Sequence, residues 1–115
     1  MQLIDIGANL GHESFRPDFD QVLQRAHAHG VTQMIVTGAS AAGSRMALAL
    51  AQAYPGVLYA TAGVHPHHAI DYDDATDAEL RAHLQAGEVK AVGETGLDYH
   101  RNHSPPAAQI EAFER

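Results

Sequence analysis

Val89-Lys90-Ala91-Val92-Gly93-Glu94-Thr95-Gly96-Leu97-Asp98 passes from an apolar run straight into a glycine-flanked carboxylate. A run that short and apolar reads as a buried parallel strand, so Glu94 falls where the strand ends and its loop begins. Parallel βα folds keep their chemistry at that end. Leu58-Tyr59-Ala60-Thr61-Ala62 leads in the same way into Gly63-Val64-His65-Pro66-His67-His68. Polar clusters that leave two strands one βαβ unit apart belong on one rim. Carboxylate and imidazole on one rim point to a hydrolase that uses a hard metal ion.

Outward from these two strands the chain keeps alternating. Leu3-Ile4-Asp5-Ile6, bounded by Gly7, reads as a buried first strand. Phe19, Val22, Leu23 and Ala26 recur at helical spacing, and Gly30 follows as a stop, which predicts a helix over 18–29. Met34-Ile35-Val36-Thr37 reads as the second strand. Ser40 then opens an Ala-rich helix to about Tyr54, with Ala42, Met46, Ala49, Leu50 and Ala53 as its apolar face. The third strand runs from Leu58 to about Val64. Asp71 to Asp77 is acidic and turn-rich; Thr76 with Glu79 has the capping-box pattern, ahead of Leu80, Leu84 and a stop at Gly87. Ser104-Pro105 offers N-cap and N1 to a last helix carrying Ile110 and Phe113.

The order βαβαβαβα predicts an α/β fold with a parallel sheet and right-handed crossovers. Four such strands leave an unpaired edge unless more strands follow. A closed (β/α)8 barrel takes about 250 residues, and this chain has 115. If the fold is a barrel, residues 1–115 are under half of it, and the incomplete sheet is expected to be either a fragment of a larger protein or a product that finds its missing half elsewhere.

Composition narrows the class further. An apolar fraction of 45% is ordinary for a globular chain, and no run approaches the roughly 18 residues of a membrane span. Met1-Gln2 passes directly into a strand carrying Asp5, with no basic region and apolar core of a secretory signal, so a cytoplasmic protein is expected. With no cysteine, any metal must use oxygen and nitrogen ligands. A formal net charge of −7 argues against a broad basic surface for nucleic acid, though a small phosphate pocket remains compatible with it.

Glu94 is the leading candidate, as a metal ligand or general base; the bland alternative is a carboxylate that only accepts loop amides. Asp98 turns the same loop or orients a neighbour. Pro66 fixes the backbone between His65 and His67, so both rings can face one pocket, ready for a metal, a phosphate oxygen or proton transfer. Arg101 can grip a phosphate in a bidentate fashion or serve as a solubilising charge. Asp5 and Asn9 can face the rim, or be a buried carboxylate and a turn residue. His27, His29 and His83 sit on helix patterns and read as surface residues. His12, His100 and His103 lie in loops with no clear partner. Gly38-Ala39-Ser40 lacks the spacing and lysine of a P-loop, and Gly7-Ala8-Asn9-Leu10-Gly11 is not GxGxxG, so nucleotide cradles are weakly supported.

Three segments in order, Asp5-Ile6-Gly7-Ala8-Asn9-Leu10, Ala62-Gly63-Val64-His65-Pro66-His67 and Gly93-Glu94-Thr95-Gly96-Leu97-Asp98-Tyr99 with Arg101 and Asn102, resemble the TatD-like metal-dependent hydrolases. The resemblance implies a TIM barrel with one or two divalent metals, Mg²⁺ or Mn²⁺ with Zn²⁺ also compatible, at its C-terminal rim. It implies hydrolysis of DNA phosphodiester bonds, with single-stranded ends suiting an acidic protein best. Glu94 then matches a catalytic metal-ligating glutamate, His65 a catalytic histidine of the substrate rim, Arg101 a phosphate contact and Asp98 a supporting residue. His67 would join the substrate-binding side. Asp5 opens a signature that in many members reads Asp-x-His-x-His, whereas Gly7 and Asn9 stand here at the histidine positions. Asn9 then offers a neutral carbonyl oxygen beside Asp5 and Glu94 as a metal ligand. The family draws two more histidines and a late aspartate from strands beyond the fourth, so the chain alone is expected to be inactive. Two other readings stay open: a metal-dependent hydrolase of a small ester or amide, and a non-catalytic metal or nucleic-acid binding fragment.

Overall fold

Along the strand Leu58–Ala62, Leu58, Ala60 and Ala62 are buried while Tyr59 and Thr61 are half-buried. That period of two separates a face covered by helices from a face that is not. The computed structural model describes residues 1–115. Its elements are β1 (Leu3–Ala8), α1 (Phe19–Ala28), β2 (Val31–Val36), α2 (Ala41–Ala53), β3 (Leu58–Ala62), α3 (Asp74–His83), β4 (Val89–Val92) and α4 (Pro106–Glu114). Two 3₁₀ segments, Glu13–Asp18 and Pro66–Asp71, precede α1 and α3. The strands form one parallel sheet in the order β1-β2-β3-β4, with Ile35 paired to Tyr59 and Thr61 to Ala91.

The core lies between α1, α2 and the sheet, where Leu23, Met34, Val36, Ala47, Ala51, Leu58 and Ala60 are buried together. On the opposite face Lys90 lays its ammonium 4.9 Å from the centroid of the Tyr59 ring. Neither β1 nor β4 is the buried strand its apolar sequence predicts. Ile6 is 77% and Val92 64% exposed, because each of these strands pairs on one side only and no layer covers the inner face. The sheet is open at both edges, as the strand count requires.

Three helices differ from their sequence patterns. In α2 the buried residues are Ser44, Ala47 and Ala51; of the expected face, Ala42, Met46, Ala49 and Ala53 are exposed and only Leu50 packs, half-buried, against the core. An Ala-rich helix has no unique apolar stripe, and the side with the smallest groups packs on β3. For α3 the cap is Asp73, whose carboxylate accepts from the Thr76 amide at 2.7 Å, and the helix begins inside the acidic stretch. His83 at its end is not a surface residue: its side chain is 13% exposed, with Nδ1 lacking a partner and Nε2 3.7 Å from Glu79. In α4 the inward residue is Gln109, while Ile110 and Phe113 are exposed.

Ser44 binds α2 to the end of β3. Its hydroxyl donates to the Gly63 carbonyl at 3.2 Å and accepts from the Gly63 amide at 3.1 Å. Ser44→Ala removes that partner from two buried backbone groups, so stability is expected to fall by about 2 kcal/mol. The check is a lower urea midpoint with an unchanged m-value.

Candidate active site

Backbone hydrogen bonds draw three strand exits together. The Gly93 amide donates to Ala62 (3.0 Å), the Glu94 amide to Gly38 (2.6 Å) and the His65 amide to Ala39 (2.9 Å). Glu94 and His65 therefore leave β4 and β3 side by side, with His65 Nε2 3.5 Å from Glu94 Oε1. His65 Nδ1 accepts from the His67 amide at 3.1 Å, so the neutral ring carries its proton on Nε2, toward Glu94. Burial pushes the His65 pKa down; the Glu94 carboxylate opposes this, and His67, Arg101 and His68 reinforce it. His65 is thus a neutral imidazole at pH 7, presenting a donor rather than a charge.

Asp98 organises the other half. Its Oδ1 accepts from the amides of His100 (3.1 Å) and Arg101 (3.0 Å), and its Oδ2 from His67 Nε2 (3.0 Å) and Arg101 Nε (2.7 Å). The Arg101 backbone contact first, then the His67 hydrogen bond, hold its pKa well below the usual carboxylate range. An ionised carboxylate only accepts, so His67 carries a proton on Nε2, and its Nδ1 has no hydrogen-bond partner in the protein. Arg101 commits only Nε to Asp98 and is 58% exposed at its side chain. Its terminal nitrogens stay available for an anion.

The structure therefore brings together Glu94, His65, His67, Asp98 and Arg101. On β1 the Asp5 carboxylate accepts from the Gly7 amide at 3.0 Å, and just beyond it the Asn9 backbone carbonyl accepts from the His12 amide at 3.2 Å. No three His, Asp or Glu side chains converge where they could hold a metal ion. The donors suit a hard divalent cation in kind but not in number.

Three contributors escaped the sequence reading. The His103 ring stands edge-on to His67 with centroids 4.5 Å apart, as the His65 ring does at 4.2 Å. Ser104 is no helix cap: α4 begins after Pro105, and the buried Ser104 hydroxyl donates to the His67 carbonyl at 2.9 Å and accepts from the Ile70 amide at 3.3 Å. Gln109 is 1% exposed and hydrogen-bonded across the loop 98–104. Its one signal was a helical spacing that aligns it with Ala112 and Phe113.

A parallel sheet with helices on one face and carboxylate and imidazole groups at its carboxyl ends is part of a TIM-barrel-like hydrolase fold. A family model described as TatD related DNase matches residues 4–115, and the chain belongs to that family. The 3'-5' ssDNA/RNA exonuclease TatD of Edwardsiella piscicida is 48% identical over 112 residues, 97% of this chain and 43% of that protein. The protein of the same name from Erwinia billingiae is 45% identical over 111 residues, 96% of this chain and 42% of that protein. A crystal structure of a TatD homolog from Escherichia coli superposes with a TM-score of 0.86 at 32% identity, covering 97% of this chain and 44% of that one. A TatD family hydrolase from Entamoeba histolytica gives 0.84 at 29% identity, covering 99% and 44%. The chain thus spans less than half the length of the relatives it matches. No helix is long and apolar enough to cross a membrane.

Proposed function

We propose that the complete protein is a divalent-metal-dependent deoxyribonuclease that removes nucleotides from single-stranded ends in the cytoplasm, and that residues 1–115 are the N-terminal part of its single barrel. The observation that carries this reading is the set of fixed donors beside one exposed carboxylate. Arg101 is aimed by Asp98 with its terminal nitrogens free, and neutral His65 presents Nε2–H next to Glu94. Donors that need no reorganisation suit a phosphate that must be placed before it is cleaved. The names of the Edwardsiella and Erwinia relatives, which specify 3'-5' exonucleases of ssDNA and RNA, support the same direction.

One or two Mg²⁺ or Mn²⁺ ions would draw on Glu94, with Asp5 and Asn9 as further oxygen donors and the remaining ligands from outside these residues. Oxygen donors favour those ions over Zn²⁺. This chain alone is expected to be inactive.

The test is shortening of an end-labelled single-stranded oligonucleotide by the complete protein. Stepwise loss of nucleotides, abolished by EDTA and restored by Mg²⁺ or Mn²⁺, is the expected result. An intact oligonucleotide with turnover of a small ester or amide would replace this reading by that of another hydrolase. Saturable metal binding without any turnover would leave a binding module.

Within this rim, Arg101→Ala in the complete protein is expected to raise KM for the oligonucleotide about tenfold with a smaller change in kcat. A lost phosphate contact made equally in ground and transition states acts in that way. Steady-state kinetics at fixed ionic strength check it.

A further inference from the structure

We propose that Gln109 is a positioning residue for this rim: its buried amide locks Asp98 in place and, through Asp98, sets the ring tautomer of His67 and the aim of Arg101. Gln109 Oε1 accepts from the Asp98 amide at 2.9 Å. Its Nε2 donates to the Asp98 carbonyl at 3.1 Å, to the Ser104 carbonyl at 2.8 Å and to Asn102 Oδ1 at 3.3 Å. One side chain thus grips both backbone polar groups of Asp98 and closes the loop onto itself at Asn102 and Ser104.

The placement matters because the Asp98 backbone has only one other partner, the Asn102 amide, which donates to its carbonyl at 3.3 Å from within the same loop, so Gln109 alone ties it to a helix. Its carboxylate is occupied in aiming other groups, with His67 and Arg101 on Oδ2. Gln109 sits on α4, and α4 rests mainly against the 3₁₀ segment Pro66–Asp71 that carries His67. The helix therefore connects the two halves of the His67–Asp98 contact, one through packing and the other through the Gln109 amide. Ser104 completes the link, since its carbonyl accepts from Gln109 while its hydroxyl donates to the His67 carbonyl. A glutamine is suited to this because it accepts and donates from one planar group, which no apolar residue of similar size can do. Its burial on a helix whose Ile110 and Phe113 are exposed shows that packing alone does not choose it. Geometry of this kind, rather than new contacts to substrate, is how a buried polar group tunes a site.

The benefit of aiming Arg101 and His67 is phosphate placement, so this role rests on the nuclease reading above; the ring tautomer is read without any substrate, so the two can fail separately. Long-range ¹H–¹⁵N spectra of the ¹⁵N-labelled chain assign the proton on each imidazole. In the wild type His67 is expected with Nε2 protonated and Nδ1 bare, and the Arg101 Nε–H protected from solvent exchange. In Gln109→Met, which keeps the length and loses the amide, His67 is expected to become a tautomer mixture. The Arg101 Nε–H is expected to exchange about tenfold faster, while backbone resonances of α1 and α2 stay in place. Gln109→Glu, which can still accept from the Asp98 amide but cannot donate, is expected to fall between the two.

A folded Gln109→Met with the wild-type tautomer and exchange rate would overturn the proposal. Where both variants fail to fold, the wild type decides: a proton on His67 Nδ1, or an Arg101 Nε–H exchanging as in a free guanidinium, overturns it, and the opposite pair supports it. In the complete protein the same substitution is expected to raise KM for a single-stranded oligonucleotide more than it lowers kcat. A purely structural defect would instead reduce the active fraction and leave KM unchanged.

Discussion

Glu94→Gln in the complete protein is expected to lower kcat for single-stranded DNA by about 10³-fold, with no comparable loss of stability. The two halves of that expectation have different origins. The Glu94 side chain is 55% exposed and its one close ionisable neighbour is the neutral His65 ring at 3.5 Å, so the fold does not depend on its carboxylate. What fixes the residue is its backbone, through the amide hydrogen bond to Gly38, and glutamine keeps that bond. The substitution therefore removes a negative charge and one strong acceptor while leaving shape and position intact. A carboxylate exposed at a strand end, beside a neutral donor and a free guanidinium, is expected to serve the reaction rather than folding. Measured kcat within a factor of a few of wild type, with the same thermal midpoint, would remove Glu94 from the chemistry and leave it a loop acceptor. Loss of both activity and thermal midpoint would contradict the claim that the fold ignores it.

The βα order, the parallel sheet and the open edges were legible because they follow from period and punctuation. Val89–Val92 and Leu58–Ala62 are short apolar runs ended by glycine, and the structure keeps both within a residue or two of their expected bounds. The rim followed as a corollary, since side chains leaving neighbouring parallel strands at the same end must lie near one another. Packing details were less legible, each for a physical reason. In α2 alanine occurs on every side, so hydrophobic periodicity cannot identify the stripe that meets β3, and Ser44 decides it through its bonds to Gly63. At Asp73 the cap could not be told from the surrounding acidic residues, because Thr76 and Glu79 offer an equally good pattern one turn later. Ser104 and Gln109 were missed because both are polar, and a polar residue is legible as buried only when its partners are known. Those partners, His67 and Asp98, belong to loops whose paths no periodicity describes.

Gly63→Ala is expected to cost about 3 kcal/mol of stability for a single methyl group. A Cβ built at Gly63 would stand 2.6 Å from the Gly93 carbonyl carbon, 2.8 Å from its oxygen and 2.9 Å from its Cα. These are backbone atoms, so no side chain can swing aside to make room. Gly63 cannot retreat either, because the Ser44 hydroxyl holds both its amide and its carbonyl. Gly93 in turn is tied to Ala62 by its own amide. Relief must come from parting the ends of β3 and β4, the movement that would carry Glu94 away from His65. One methyl group should therefore lower the urea midpoint and, in the complete protein, reduce turnover by up to about 100-fold, the scale of a misplaced reacting group. Gly87→Ala is the matched control: a Cβ there meets nothing within 4 Å, so stability should stay within about 0.5 kcal/mol of wild type. Equal midpoints for the two variants would mean that the strands do not approach as closely at Gly63 as described. A lower midpoint for Gly63→Ala alone, with turnover falling in parallel, ties the rim geometry to that single point of backbone contact.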